Sequence, residues 1–327
     1  MRCLVTGAAG FVGSSLCDKL LALGHEVVGI DCFVPYYPRP LKEHNLRQAR
    51  DCVNFKFIET DICRVFETTK DGTTRLGMEL LDSVAIVFHE AAQAGVRASW
   101  GRDFEIYCHH NILATQKLLE ACKGREGLKI VYASSSSVYG ETRKFPMEES
   151  DLPAPVSPYG MSKLAAEHLM RLYAANYDLY TVSLRYFTVY GPRQRPDMAF
   201  HRLIKAALTG AEFTVYGTGE QTRDFTFIGD IVQANLDAAE RGKAGGVYNL
   251  GGGTRITMND VIRLVESLAG QKINIRHIER QHGDVSHTGA SVGLARQDFG
   301  FHPKVALKEG LTREIEFIRD VVLPQTS

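Results

Sequence analysis

The chain has 327 residues, and its 38 lysines and arginines equal its 38 aspartates and glutamates, so its formal net charge is zero. A balanced charge provides no overall field that would draw the protein to nucleic acid or to an anionic membrane. The length exceeds that of one compact domain, and no apolar run approaches the length of a membrane span. With no signal-peptide pattern and seven scattered cysteines without a C-x-x-C pair, we expect a cytoplasmic protein with reduced thiols.

The N-terminal stretch predicts a strand, a tight turn and a helix. An apolar opening at residues 3–5 leads into three glycines spaced three apart, and a helix-like run from 14 to 23 follows. Glycine lets the backbone turn where a side chain would clash, and the N-terminus of the helix then binds a phosphate group. Three glycines by themselves are also compatible with an ordinary loop, but these stand between a strand and a helix. The predicted cofactor contacts of this turn are Gly7, Gly10, Phe11, Val12 and Gly13.

An acidic residue closes the second predicted strand. The apolar run from 27 to 30 ends at Asp31, where a dinucleotide-binding fold places a carboxylate on the ribose 2′-hydroxyl. Because that carboxylate repels a 2′-phosphate, the sequence favours NAD over NADP as the cofactor.

Strands and helices alternate as far as residue 187, which predicts an α/β fold with a Rossmann-type, doubly wound parallel sheet. Asp61 and Ile62 follow one predicted strand at a place suited to contact adenine, and Ala91, Ala92 and Gln93 follow the next with space for a ligand. A polar insert at 35–40 is expected to be a surface excursion. The predicted strands are 54–59, 84–89, 128–133 and 179–186, and the predicted helices are 103–123, which contains Asn111, and 157–176.

The pattern changes beyond residue 187. Turns and short segments predict a smaller mixed α/β substrate domain over 188–327, some of whose segments return to the NAD-binding domain at 1–187. The glycine triplet 251–253 lacks a predicted strand before it, so a second nucleotide site is not expected. Helices are predicted near 199–209, 229–241 and 258–269.

A tyrosine and a lysine share one face of the predicted helix at 157–176. Tyr159 and Lys163 are four residues apart, and a serine cluster precedes them at a strand end. A tyrosine is a poor base at its ordinary pKa of about 10, but a nearby ammonium and a positive nicotinamide favour the phenolate. A pair with this spacing is common on helices by chance. It indicates catalysis here because it accompanies the glycine turn, Asp31 and the serines.

Five motifs together resemble the nucleotide-sugar epimerases of the extended short-chain dehydrogenase/reductase family, and UDP-glucuronate 4-epimerases most of all. The motifs are T-G-A-A-G-F-V-G, H-E-A-A-Q-A-G-V-R, S-S-S-S-V-Y-G, Y-G-M-S-K and R-Y-F-T-V-Y-G-P. The resemblance implies a catalytic triad of Ser135, Tyr159 and Lys163. It adds Asp61, Ile62, Ala91, Ala92, Gln93, Arg97, Asn111, Tyr159 and Lys163 to the NAD contacts. It implies a substrate site formed by Ser136, Ser137, Thr188, Arg195, Arg223 and Arg280.

One serine separates the possible reactions on a UDP-sugar. Related dehydratases and decarboxylases carry a glutamate three residues before the glycine of the S-S-V-Y-G turn, whereas this chain has Ser137. Epimerisation at C4 therefore fits best, with UDP-glucuronate as substrate and UDP-galacturonate as product. A 4-keto uronate is a β-keto acid that loses CO₂ readily, so Ser136, Ser137 and Arg195 are expected to restrain its carboxylate.

Several alternatives stay open at this point. The chain could act as a UDP-glucose/galactose 4-epimerase or as a UDP-glucuronate decarboxylase, and outside enzymes it could be a non-catalytic NAD-binding regulator. The family resemblance also implies a homodimer, in which helices 103–123 and 157–176 pair with those of a second subunit. The histidines show no spacing typical of metal ligands, so no metal site is expected.

Overall fold

A computed structural model describes residues 1–69, 72–279 and 283–326. Its centre is a seven-stranded sheet with the order β12-β8-β7-β6-β1-β2-β3, in which every neighbouring pair is parallel. The predicted Rossmann-type fold is therefore confirmed. These strands are β1 (Arg2–Thr6), β2 (Glu26–Asp31), β3 (Phe55–Glu59), β6 (Val84–His89), β7 (Lys129–Ser135), β8 (Tyr180–Tyr186) and β12 (Gly246–Leu250).

Alternating side chains of the strands supply two separate cores. Cys3 and Val5 of β1 pack on one face of the sheet, whereas Leu4 between them packs on the other, as the two-residue period of a strand requires. Both faces are covered by helices, which is why the central strands are apolar throughout. The helices of the first half are α1 (Phe11–Ala22), α2 (Arg39–Arg50), α3 (Ile62–Val65), α4 (Arg75–Leu81), α5 (Phe104–Tyr107), α6 (Ala114–Cys122) and α7 (Pro158–Tyr177).

The second half of the chain builds smaller sheets beside the large one. Strands β9, β11 and β13 form a mixed sheet, and β10 pairs with β14. The remaining strands are β4 (Thr68–Thr69), β5 (Gly72–Thr73), β9 (Thr188–Tyr190), β10 (Glu212–Tyr216), β11 (Thr222–Phe227), β13 (Arg255–Thr257) and β14 (Asn274–Ile278). The remaining helices are α8 (Ala199–Thr209), α9 (Ile228–Arg241), α10 (Met258–Ala269), α11 (Gly293–Phe299), α12 (Leu307–Phe317) and α13 (Leu323–Thr326). Among the described residues, no helix is both long and apolar enough to cross a membrane.

Two local expectations from the sequence were wrong. Strand β12 ends directly before the glycine triplet at 251–253, and it pairs with β8 at the edge of the large sheet. The predicted helix at 103–123 is not a uniform α-helix, since a π-helical segment at Cys108–Leu113 separates α5 from α6. The first error arose because β12 is short and its hydrogen-bonding partner lies more than sixty residues earlier in the chain.

A buried ion pair joins helix α7 to the large sheet. Arg185 of β8 donates to both carboxylate oxygens of Glu167 in α7, at 2.6 and 3.0 Å, and the two side chains are 4% and 2% exposed. Ser134 of β7 donates to the same carboxylate at 2.7 Å. The N-terminus of α7 is capped by Ser157, whose hydroxyl accepts from Gly160 N–H at 3.1 Å. These contacts orient the helix that carries Tyr159.

Replacing Arg185 with methionine should leave the Glu167 carboxylate buried without its counter-charge. We expect Arg185→Met to lower the free energy of unfolding in urea by about 3–5 kcal/mol. Arg75→Met removes an arginine that is 93% exposed from an i,i+4 pair with Glu79, and should leave the unfolding free energy unchanged within error. A similar small effect for Arg185→Met would contradict this account of the ion pair.

Candidate functional site

Two adjoining cavities open at the carboxyl ends of the large sheet's strands. The inner cavity is lined by the glycine turn after β1, by Asp31 and by residues 90–94 after β6. The outer cavity lies between the large sheet and the second half of the chain. In the sheet order, β1 and β6 are neighbours at which the direction of chain progression reverses, and α/β folds bind ligands at such a point. Side chains that line both cavities include Phe11, Val12, Tyr36, Tyr159, Tyr186 and Arg195.

The glycine turn is packed too tightly for side chains. Gly7 has a φ of +69°, and a Cβ on Gly13 would lie 2.1 Å from the Gly7 carbonyl oxygen. The Asp31 carboxylate accepts hydrogen bonds from Ala9 N–H at 3.1 Å and Phe33 N–H at 2.8 Å, which holds it against this turn. A bare backbone turn before a helix, with a carboxylate beside it, fits the diphosphate and ribose of a dinucleotide.

The residues predicted near the adenine have different surroundings. Ile62 lines the inner cavity, as do Cys32 and His110. The Asp61 carboxylate caps α3 by accepting from Cys63 N–H at 2.7 Å, and it pairs with His109 Nε2 at 2.9 Å. The ligand atoms of Cys32, Asp61 and His110 lie within 4.8 Å of one another, as do those of Asp61, Cys63 and His109. These groups could hold a metal ion, although the spacing of the histidines gave no such indication.

Asn111 is buried and supports the loop that lines the inner cavity. Its side chain accepts from Gln93 N–H at 2.7 Å and donates to the Gln93 carbonyl at 3.0 Å and to Ser162 Oγ at 2.8 Å. Ala91, Ala92 and Gln93 line the inner cavity. The structure therefore places Asn111, which we had predicted as a cofactor contact, where it fixes the loop that carries Gln93. It sits in the π-helical segment, a geometry that is frequent at functional sites.

Arg97 lies in the outer cavity rather than beside the glycine turn. Its guanidinium donates to the Asp284 carboxylate at 2.7 and 3.3 Å and lies 3.7 Å from the centre of the Tyr216 ring. The family resemblance implied that Arg97 contacts the NAD. Arg97 begins a short 3₁₀ turn at Arg97–Ser99 and lines the outer cavity, so its contact with NAD stays a prediction.

Three side chains with catalytic potential meet where the cavities join. Ser135 ends β7, Tyr159 lies in the first turn of α7, and Lys163 follows one turn later. Lys163 is 3% exposed, and its ammonium lies 4.6 Å from the centre of the Tyr132 ring. The motif residues are thus brought together from strand β7 and helix α7.

Burial controls the protonation of this group. Burial raises the pKa of Tyr159 above its ordinary value, and its hydrogen bond with Ser135 opposes the rise. Burial lowers the pKa of Lys163 to about 8, and the carboxylates of Glu90 and Glu167 oppose that change. We had expected Lys163 to bring the tyrosine pKa down. In the protein by itself desolvation dominates, so Tyr159 holds its proton at neutral pH.

Five of the six predicted substrate residues line the outer cavity beside this group, and the fifth, Arg195, is described below. Ser136 and Ser137 form a short 3₁₀ turn after β7, Thr188 begins β9, and Arg223 lies in β11. The Arg223 guanidinium donates to the backbone carbonyls of Thr222, Val285 and Ser286, at 2.9, 2.7 and 3.1 Å. Arg280 lies outside the described residues.

Arg195 already has a carboxylate partner within the protein. It donates to both oxygens of Asp197 at 3.0 Å, and the Tyr36 hydroxyl donates to the same carboxylate at 3.2 Å. The arginine lines both cavities, as Tyr36 does. This cluster therefore stands beside Tyr159 with its charge balanced internally.

The insert at 35–40, which we had expected to be a surface excursion, contributes side chains to the inner cavity. Tyr36 and Tyr37 line the inner cavity together with Lys42, whose ammonium donates to Val34 O at 2.8 Å and lies 4.7 Å from the Tyr37 ring centre. Two adjacent tyrosines in a polar, proline-rich segment were the available signal, because exposed loops seldom carry two aromatic side chains.

Comparisons with known proteins agree with this geometry. Residues 3–251 match the model of the NAD dependent epimerase/dehydratase family. An uncharacterized UDP-glucose epimerase of Bacillus subtilis is 43% identical over 322 residues, covering 97% of this chain and 98% of the relative. A UDP-glucuronate 4-epimerase of Thermodesulfobacterium geofontis is 35% identical over 325 residues, covering 97% and 96%. The solved structure of the UDP-glucuronic acid 4-epimerase of Bacillus cereus, in complex with UDP-glucuronic acid and NAD, has a TM-score of 0.92 and 42% identity and covers 98% of this chain and 100% of that one. The chain described here therefore belongs to the NAD dependent epimerase/dehydratase family.

Proposed function

We propose that this protein is an NAD-dependent UDP-sugar 4-epimerase that interconverts UDP-glucuronate and UDP-galacturonate. The observation that carries the proposal is the position of Tyr159, which lines both cavities and has Lys163 buried one helical turn behind it. The Bacillus cereus relative, solved with UDP-glucuronic acid and NAD, supports the same substrate and cofactor.

The inner cavity is proposed to hold the NAD. The backbone of the glycine turn and the N-terminus of α1 bind its diphosphate, and Asp31 accepts from the ribose hydroxyls. Ile62, Ala91, Ala92 and Gln93 line the same cavity. When bound, NAD supplies the group that takes a hydride from C4 of the sugar and returns it.

Tyr159 is proposed to move the proton of the reaction. It takes the proton from O4 as C4 is oxidised, and it gives the proton back when the other face of C4 is reduced. Ser135 hydrogen-bonds the reacting oxygen. Burial raises the pKa of Tyr159, and the hydrogen bond with Ser135 and the charge of Arg195 oppose that rise. The ammonium of Lys163, one helical turn away, is proposed to favour the phenolate form as well. A positively charged cofactor in the inner cavity adds to the same effect.

The outer cavity is proposed to hold the uronate and its nucleotide. Ser136, Ser137 and Thr188 offer hydroxyl groups to the sugar, and Arg223 offers its cation to the diphosphate. Arg195 is proposed to bind the uronate carboxylate after exchanging Asp197 for it. CO₂ is lost when the bond between C5 and the carboxylate is perpendicular to the plane of the C4 carbonyl. A carboxylate held by two hydrogen bonds is kept out of that orientation. Loss of CO₂ is thereby suppressed.

A neutral UDP-hexose is the second candidate substrate. The Asp197 carboxylate neutralises the charge of Arg195, so the site does not require an acidic sugar. The Bacillus subtilis relative is also named as a UDP-glucose epimerase. The contact between Asp197 and Arg195 therefore distinguishes the two candidate substrates. A uronate has to displace Asp197 from Arg195, whereas a neutral sugar does not.

A homodimer and a cytosolic location complete the proposal. Ile106 of α5 and Leu172 of α7 are 40% and 56% exposed, and Leu113 between α5 and α6 is 41% exposed. Apolar side chains exposed on neighbouring helices support pairing with a second copy. The free state of all seven cysteines supports a reducing compartment.

The proposed reaction is tested by incubating the protein with UDP-glucuronate and catalytic NAD⁺. We expect UDP-galacturonate without release of CO₂, resolved by anion exchange and proton NMR. Tyr159→Phe keeps the ring and removes the hydroxyl, so it should lower kcat by about 10²–10⁴-fold. Tyr177→Phe, on the exposed end of the same helix, is the control and should react as the wild type does. UDP-pentose with CO₂ would identify a decarboxylase instead.

Truncating Arg195 should separate acidic from neutral substrates. We expect Arg195→Ala to lower kcat/KM for UDP-glucuronate by about ten- to a hundredfold, since a charge-assisted hydrogen bond contributes about 1.5–3 kcal/mol. Turnover of UDP-glucose should change much less. Asp197→Asn removes the internal competitor and should lower KM for the uronate. Equal losses on both sugars in Arg195→Ala would refute the carboxylate role.

A further inference from the structure

A carboxyl group to which the proposed reaction assigns no role lies in the wall of the inner cavity. Glu90 directly follows strand β6, and it lines the cavity together with Tyr159, Lys163 and Tyr186. Charges in such a cavity interact more strongly than on the surface, because little water screens them. The charge of Glu90 therefore bears on the catalytic residues.

A chain of hydrogen bonds fixes the position of Glu90. The buried amide of Asn235 donates one hydrogen to Ile231 O at 2.9 Å and the other to the Tyr186 hydroxyl at 2.8 Å. The Tyr186 hydroxyl can then donate its own hydrogen to Glu90 Oε1, 3.0 Å away. The Asn235 amide oxygen lies at the same distance, but an ionised carboxylate is the stronger acceptor. This arrangement suits an ionised Glu90.

Lys163 lines the same cavity as Glu90, and the two groups act on each other electrostatically. Burial lowers the pKa of Lys163 to about 8, and Glu90 is the first of the groups that oppose this change, followed by Glu167. Burial also raises the pKa of Glu90 to about 7, which Tyr186 and Lys163 oppose. Each of the two groups thus favours the charged form of the other, and both change charge close to neutral pH.

Among the other titratable groups around the pair, Glu167 is a carboxylate held in its ion pair with Arg185. The remaining ones stay neutral between pH 6 and 9 because they are buried. Burial lowers the pKa of His89 to about 3, with Lys163 adding to the effect. Burial raises the pKa of Tyr132 and of Tyr186 well above the ordinary tyrosine value. Tyr159 is raised for the same reason. Glu90 and Lys163 are therefore the pair whose charges respond to pH in this range.

We propose that Glu90 is a positioning residue for the epimerisation, in that its carboxylate, held by Tyr186, keeps Lys163 in the ammonium form at and above neutral pH. The inference rests on the proposed function, because the ammonium is what Tyr159 needs in order to release its proton. Without the carboxylate, the buried lysine loses its own proton at a lower pH. Glu90 thus extends the range in which the enzyme works toward alkaline pH.

The first test titrates Lys163 directly in the cofactor-free protein. The lysine side chains are labelled with carbon-13 and followed by NMR over pH 6–10, with Lys163→Met used to assign the signal. Glu90→Gln retains the size of the side chain and an acceptor for Tyr186. We expect this change to lower the pKa of Lys163 by about one unit. Glu126→Gln, at an exposed position, is the control and should leave the titration unchanged. An unchanged titration in Glu90→Gln would overturn the proposal.

The second test is the pH profile of kcat for UDP-glucuronate. Wild type and Glu90→Gln should have similar rates near pH 6, where Glu90 is protonated in the wild type, and differ by about five- to tenfold near pH 8.5. The same loss at both pH values would mark a purely structural role and refute the inference. If the wild type does not epimerise any UDP-sugar, the proposed function fails. The titration of Lys163 then still decides whether Glu90 controls its charge.

Discussion

The ion pair between Arg185 and Glu167 is the constraint on which the catalytic geometry depends. It joins strand β8 to helix α7, and Ser134 adds strand β7 through the same carboxylate. Tyr159 and Lys163 belong to that helix, and Ser135 follows Ser134 directly in the strand. Because both charges are buried, the pair tolerates little displacement without losing hydrogen bonds that water cannot replace. The helix is therefore held at one position relative to the strand end.

Burial of the catalytic side chains also shifts their pKa values in unfavourable directions. Desolvation raises the pKa of Tyr159 and lowers that of Lys163, so both shifts favour the forms that are useless for proton removal. Glu90 opposes the second shift, and a positively charged cofactor opposes the first. In the proposed reaction, the bound cofactor therefore completes the electrostatic balance of the site.

The outer cavity follows a similar principle of internal balance. Arg195 is paired with Asp197, and Arg97 with Asp284, so two cations of this cavity have carboxylate partners within the protein. A bidentate pair is well formed and yet exchangeable, because an incoming carboxylate or phosphate offers the same geometry as the residue it replaces. Because the net charge of the whole chain is zero, no overall field attracts an anionic substrate, and its binding is proposed to depend on exchange of these carboxylate partners.

Local sequence patterns determined a large part of this protein. The glycine spacing and Asp31 predicted the dinucleotide turn, and the four-residue spacing of Tyr159 and Lys163 placed both side chains on one face of a helix, since these features depend only on neighbouring residues. Tertiary structure decided the rest. Four features join residues far apart in the chain: the pairing of β12 with β8, the entry of Tyr36 into the cavity, the ion pair of Arg97 with Asp284 and the contact between Glu90 and Tyr186. Their burial and charge arise only when the fold brings them together, and for that reason no local pattern predicts them.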